Sequence, residues 1–414
     1  MTGKTRANSD NDLAELSIAT AGGLAFALIA MFLLVAPLAG KAASTRDYVV
    51  FWATGQQLAH HANPYDTAAM GRIERNAGLP AGYGILYMRN PPWALPLALP
   101  LGLVNLRVGA LLWSLELLGC LLVSGRLIWE MHGRRQNRIH WLMLSFAPSL
   151  CCLMVGQTAL FALLGLVLFQ RLQGTRPFLA GMALWLCALK PHLLLPFGAV
   201  LLLWIAVTKS YRVLAGAVTA LAASSAVAAL LYPAAWSGYS AMMHAPVIEE
   251  EFIPCLSVVL REWFFPRALW VQYLPAAVAC AWALAYYWRR RHTWNWMSDG
   301  SLLALVSLVA APYCWLYDQA LALPALLDAA YRTRVRSLLT VLAGLSVLVV
   351  AAMIYGFKII SGVYVLTAPV WLAWYLAACA TAGASKAGIG AEEAEAGKRV
   401  ADELPGAAAV RGSH

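Results

Sequence analysis

Residues 89–104 read RNPPWALPLALPLGLV, and the topology of the whole chain turns on whether this run crosses a bilayer. Its apolar part, Trp93–Val104, holds about a dozen residues, whereas a helix needs about 20 to traverse the hydrocarbon core. Pro91 and Pro92 stand before it, Pro96 inside it and Pro100 further on. We read it as an interfacial or re-entrant helix that begins and ends on one side of the membrane. Every later span takes its direction from that choice.

The composition leaves no room for a water-soluble globule. Of 414 residues 61% are hydrophobic and 12% charged, against an apolar share nearer half in soluble domains. The formal charge of +10 resembles that of a nucleic-acid binder. Its Lys and Arg fall in short clusters between apolar runs, however, which is the pattern of loops facing anionic lipid, and no nucleic acid is expected. Most of the cysteines lie inside apolar runs as small hydrophobes. Only Cys255 and Cys314 are placed where a bond is conceivable, and no metal-ligand spacing stands out. No cofactor is expected and no metal is required, although the carboxylates of Asp47 and Asp318 could meet one if the helices bring them together.

The expected order is a cytoplasmic segment (1–16), a transmembrane domain (17–381) and a cytoplasmic tail (382–414) whose poverty in aromatic and branched residues predicts disorder. The first apolar run, 17–38, is too long for the core of a cleavable leader and reads as an anchor. A first external loop (39–106) follows. Outward and inward runs then alternate, each inward one landing on Arg or Lys, as at Arg134, Arg171, Arg212, Arg289 and Arg332. A second external loop covers 232–273. The total is about twelve spans in an all-α, multi-pass protein of the plasma (inner) membrane, several of them short enough to need tilting.

With positive charge expected inside, the informative cations are those left outside. Lys190 sits in the very short turn Lys190-Pro191-His192, and Arg89 stands at the same depth before Asn90-Pro91-Pro92. Plain snorkelling accounts for both; a lipid phosphate clamped by Lys190, Arg89 and His192 is the sharper reading. Two other outer turns are polar where only brevity was required. Gly156-Gln157 offers an amide, and the 312–319 turn, PYCWLYDQ, offers Trp315, Tyr317 and Asp318. A carboxylate such as Asp318 in an apolar setting is costly unless partnered or wet. The charges we find in the spanning region are confined to this outer rim. The 246–267 loop, with its acidic run and Trp263, Phe264 and Phe265, reads as a lid with an interfacial foot, or simply as a solvated face.

The densest stretch is Arg46–Asp66, RDYVVFWATGQQLAHHANPYD, directly after the first span. Asp47 opens an aromatic amphipathic segment and Asn63-Pro64-Tyr65-Asp66 closes it. Either Thr45 or Asp47 caps an interfacial helix whose Phe51 and Trp52 join the aromatic belt, or the acid accepts a proton from an amphiphilic substrate. In the second case Tyr48, Trp52, Tyr65, Gln157, Trp315, Tyr317 and Asp318 are the candidates to hold sugar or acceptor.

Together the Asp-aromatic helix, the Asn-Pro-Tyr-Asp turn, the Pro-Pro opening of a short helix, Gly-Gln, Lys-Pro-His and Pro-x-x-Trp-x-Tyr-Asp resemble glycosyltransferase family 87. The resemblance runs over roughly residues 15–380. It implies a C-type fold and transfer of a sugar, mannose above all, from a polyprenyl-monophosphate carrier to a hydroxyl of a glycolipid or lipid-linked acceptor. The implied reaction is external and inverting, within membrane lipid and without a nucleotide sugar. On that resemblance Asp47 is the general base and Lys190 the partner of the carrier phosphate. Some members carry a histidine in the late Trp-containing turn where this chain has Tyr317 and Asp318; Tyr317, Asp318 and His192 are the alternatives for its role. A transporter or flippase of lipid-linked saccharides is the competing reading, and it requires charges near the midplane. A non-catalytic subunit is a third, in which Asp47 and Lys190 are freely replaceable.

Overall fold

The computed structural model describes residues 47–382 apart from 83, 246, 247, 249, 250 and 334. The expected first span, the segment 1–16, nearly all of the tail, Thr45 and Arg46 lie outside the described residues. Among those described there are helices and turns and no strand.

Two short helices come first, α1 (Tyr48–Ala59) and α2 (Thr67–Asn76). The Asp66 carboxylate begins α2 by accepting from the N–H groups of Ala68 and Ala69 at 2.9 and 3.0 Å, which satisfies two donors at the helix start. The deciding stretch is then a 3-10 turn, Pro92–Ala94, and α3 (Leu95–Gly102). Pro96 sits in the first turn of α3, where no N–H is needed. Its eight residues extend about 12 Å, far short of a crossing, so the re-entrant expectation agrees with its length.

Helix α4 (Leu106–Met131) follows, capped by Asn105, whose side chain accepts from Val108 N–H at 3.0 Å. Then come α5 (Ala147–Val155), α6 (Ala159–Leu172), α7 (Pro177–Cys187), α8 (Leu195–Thr208) and α9 (Tyr211–Leu231). The second loop holds α10 (Ala235–Met243) and α11 (Leu256–Phe264) and leads into α12 (Leu274–Arg290). Helices α13 (Asp299–Ala310), α14 (Leu323–Arg332) and α15 (Arg336–Ile354) precede a last helical stretch, Gly362–Ala382.

Six of the described stretches are long and apolar enough to cross a membrane: Leu106–Met131, Pro191–Thr208, Tyr211–Leu231, Leu269–Arg290, Arg336–Ile354 and Gly362–Ala382. On α15, Val347 and Leu348 are 62% and 66% exposed, so the apolar surface points outward to lipid rather than inward to a core. The chain is a multi-pass membrane protein. Helices α6, α7 and α13 are apolar but shorter, and even α6, at 14 residues, rises only about 21 Å.

Tight packing fixes α1. It crosses α3 at Gly55 and Gly102, where a Cβ on either would collide with the other helix's backbone. The Gln56 amide donates to Gly102 O, Trp52 Nε1–H to Val104 O at 3.0 Å and the Tyr48 hydroxyl to Leu106 O at 3.4 Å. The first residue of α1, Tyr48, is thereby held against the head of α4, which fixes the position of Asp47 directly before it. At the other end of α4, His132 meets Asp328 at 3.1 Å, Arg332 pairs with the same carboxylate and Arg135 donates to Tyr331 O at 3.0 Å. The basic turns thus use part of their charge to tie helix ends together.

Two sequence expectations are corrected. Charge is not confined to the outer rim: Glu116 lies exposed within α4, about 15 Å from its start. Cys255 and Cys314 are both free thiols, and Cys255 Sγ lies 3.9 Å from Pro312 O.

Candidate active site

The site is built where four turns and one helix start converge. Asp47 stands at the N-cap of α1 but makes no side-chain bond to that helix. Its Oδ2 instead accepts from Gln157 Nε2 at 2.8 Å. Gln157 reaches it because α5 ends in Gly156 at φ 82°, the left-handed region that costs glycine least. That turn is pinned in turn by Trp113, whose Nε1–H donates to Gly156 O at 2.8 Å.

The second component is the Lys190 turn. Lys190 Nζ lies 2.7 Å from Asp318 Oδ1 and 4.6 Å from the centre of the Tyr317 ring. Asp318 is 1% exposed, and its Oδ2 also accepts from Trp315 N–H at 3.1 Å. The costly buried acid therefore has its partner, and the pair holds the Lys190 turn and the 312–319 turn together. A further link is His192, whose ring stacks on Tyr313 with centroids 3.8 Å apart.

The third component is the arm leading to Arg89. Arg89 forms an ion pair with Glu251 of the second loop, and both side chains are about a third exposed. The arm is fastened on both sides. Asn90 Nδ2 donates to Leu189 O at 3.0 Å and to Thr158 Oγ1 at 3.3 Å, while Trp93 Nε1 donates to Ala188 O at 2.8 Å. Upstream, Leu86 N–H donates to Glu74 Oε2 at 3.0 Å.

These components act on one another electrostatically. Burial pushes the Asp47 carboxyl above the ordinary aspartate range; the Gln157 hydrogen bond and the positive charges of Lys190 and Arg89 pull it back, and Glu251 adds to the rise. An acid more basic than usual, next to two cations and an amide, is suited to take up a proton beside a developing anion. Glu74 is fully buried and is pushed up to about 7, chiefly by that burial, with Asp47 among the lesser causes.

Of the residues singled out in the sequence, Asp47, Gln157, Arg89, Lys190, Tyr317 and Asp318 come together, with His192 attached through Tyr313. Trp315 stacks over Tyr317 with centroids 6.0 Å apart. Tyr65 stands at the margin, its ring 5.8 Å from Tyr239, whose hydroxyl donates to Arg89 O at 3.3 Å. Tyr48 and Trp52 do not join. Tyr48 is 0% exposed, and both bond to the α3–α4 connection, apart from the Asp47–Gln157 and Lys190–Asp318 contacts. Sequence reasoning missed Glu74, Glu251 and Asn90. Asn90 had a legible signal, a polar residue directly before Pro-Pro at a membrane boundary; Glu251 was hidden in an acidic run.

No curated protein and no solved structure matches this chain. The sequence profile of glycosyltransferase family 87 matches residues 87–312. The match takes in Arg89, Gln157, Lys190, His192 and Glu251, while Asp47 precedes it and Asp318 follows it, each joined to it by the contacts with Gln157 and Lys190. Because that match spans more than half of its length, the chain belongs to glycosyltransferase family 87.

Proposed function

We propose that this membrane glycosyltransferase moves a hexose, with mannose as the sugar the family resemblance implies, from a polyprenyl-monophosphate carrier to a hydroxyl of a lipid or lipid-linked glycan. The reaction takes place at the external face of the plasma membrane, in a C-type fold of about twelve spans completed by the shorter apolar helices. The observation that carries this reading is the Asp47 carboxylate, which leaves the helix it begins uncapped and turns to Gln157 within the field of Lys190 and Arg89.

In the step proposed, the acceptor O–H gives its proton to Asp47 while its oxygen attacks the anomeric carbon. The carbon–oxygen bond to phosphate breaks on the opposite face, inverting the centre, and its electron pair leaves with the polyprenyl phosphate. A singly charged phosphodiester thereby becomes a dianion. Lys190 and Arg89 attract that dianion more strongly than the bound donor, which is the differential interaction catalysis needs. Asp318 and Glu251 hold the two cations in position before the donor arrives.

The reading is tested with the purified chain in lipid, supplied with polyprenyl-phosphate mannose and a membrane lipid extract. Mass spectrometry is expected to find lipids one hexose heavier, and a nucleotide mannose is expected not to substitute. Transfer from the nucleotide sugar, or none from the lipid-linked one, sinks the proposal.

A further inference from the structure

A cleft of about 700 Å³ opens between α1, α2 and the start of α4, with Trp52, Asn76, Asn105 and Arg107 among its lining. None of Asp47, Gln157, Arg89, Lys190 or Asp318 lines it. Its walls are chemically distinct from the site described above. Trp52 is fixed by its indole bond to Val104 O, which leaves its ring a rigid wall. Asn105 spends its side-chain oxygen on Val108 N–H, so its amide N–H groups remain to donate. Arg107 is exposed and, among the described residues, has no carboxylate partner.

The position of the cleft narrows what it can hold. Helix α4 is a membrane-crossing helix that begins at Leu106, so the cleft lies at its mouth, at headgroup depth. Directly below, Val108, Leu112 and Leu115 are 42%, 45% and 48% exposed at a spacing of four and three residues, an apolar stripe descending one face of the helix. A guanidinium, amides and an indole above such a stripe match one kind of molecule, an amphiphile with an anionic, hydroxyl-bearing head.

We propose that this cleft seats the phosphate- and hydroxyl-bearing headgroup of the acceptor lipid, whose chains lie along Val108, Leu112 and Leu115. Calling the lipid the acceptor rests on the glycosyl-transfer reading; the docking itself does not. Trp52 and Asp47 belong to the same short helix, five residues apart, which is about 7.5 Å along its axis and about 140° around it, so a head held at Trp52 must reach round the start of α1 to bring a hydroxyl to Asp47. Acceptor and donor then approach from separate sides, with the donor phosphate at Lys190 and Arg89.

The test uses the full chain in phosphatidylcholine nanodiscs carrying a phosphatidylglycerol with a photoreactive acyl chain. Labelling is expected on the Val108–Leu115 segment, reduced about five-fold by Arg107→Gln, the size expected for one cation near an anionic lipid. Free glycerol phosphate is expected not to compete, and Leu112→Asn to reduce labelling as well. Labelling that avoids this segment, ignores Arg107→Gln or yields to free glycerol phosphate overturns the docking site. In the transfer assay Arg107→Gln is expected to raise the acceptor KM with the donor KM unchanged; an unchanged acceptor KM overturns the assignment to the acceptor. A wild-type chain that is labelled as expected yet transfers no sugar refutes the glycosyl-transfer reading and leaves the docking site standing.

Discussion

The Asp47 carboxylate accepts a hydrogen bond from the Gln157 side chain at 2.8 Å, across more than a hundred residues of sequence, while the helix that Asp47 begins goes uncapped. A cap is commonly worth about 1 kcal/mol, so this acid forgoes local stabilisation for a distant contact. Asp47→Asn keeps the shape and loses the base. It is expected to lower the transfer rate by about 10²- to 10⁴-fold, the usual contribution of a positioned general base, with the melting temperature nearly unchanged. Normal turnover in a folded Asp47→Asn protein removes the acid from the mechanism.

The charges around Asp47 set the acidic limb of the pH–rate profile. In its proposed role as base it works ionised, so activity is expected to be lost as pH falls through its raised pKa. Glu251 contributes to the rise and Arg89 opposes it. Glu251→Gln is therefore expected to move the limb to lower pH and Arg89→Gln to move it to higher pH. Shifts of the same sign in the two variants contradict this electrostatic account.

Glu74 makes stability depend on pH in an unusual direction. Unfolded, it ionises near 4.5; folded, near 7. Between those values the folded chain keeps a proton the unfolded chain has lost, so stability falls as pH rises across that window. Glu74→Gln, which retains an oxygen for the Leu86 N–H, is expected to flatten that slope. Melting curves of both proteins from pH 4.5 to pH 7 provide the check.

Much of the site was legible because polar residues stand out in turns between apolar helices, where brevity alone would admit anything small. Gln157, Lys190 and Asp318 were found that way; Gln157 meets Asp47, and Lys190 meets Asp318. What the turns did not reveal was the pairing, Lys190 with Asp318 and Arg89 with Glu251, since that depends on how distant helices pack. Glu74 gave no signal: among Arg72 and Arg75 on a polar helix it reads as solvated, whereas in the fold it is buried and accepts from Leu86 N–H of the returning arm. The aromatic richness of α1 pointed to substrate contact beside Asp47, whereas the Tyr48 hydroxyl and the Trp52 indole N–H bond to the α3–α4 connection, and of the two only Trp52 also lines a cleft. The number of spans was less legible, because a short apolar helix reads alike whether it crosses, tilts or stays buried in protein.

The Lys190–Asp318 pair separates fold from chemistry. Both residues are buried, so removing either leaves an uncompensated charge, expected to cost about 3–5 kcal/mol. Lys190→Met and Asp318→Asn alone should therefore unfold at distinctly lower temperature. The double variant should recover most of that loss but remain inactive, because the cation proposed to face the leaving phosphate is gone. A double variant that recovers both stability and transfer shows the pair to be structural only.

The crossing of α1 over α3 is the last point at which stability and activity are joined. Gly55 and Gly102 bring the two backbones into contact, and a single methyl at either position meets main-chain atoms that have nowhere to move. Gly55→Ala is expected to destabilise by about 1–3 kcal/mol, as overpacking of a well-filled contact does. It should also weaken transfer, because separating the helices carries the start of α1, and Asp47 with it, away from Gln157. Gly119, on the outer face of α4 with open space around it, is the control: Gly119→Ala is expected to leave transfer unchanged and stability equal or higher, since alanine is the better helix former. Melting temperature and turnover measured on the two variants separate the close crossing from a general intolerance of added volume in these helices, and equal losses in both would argue for the latter.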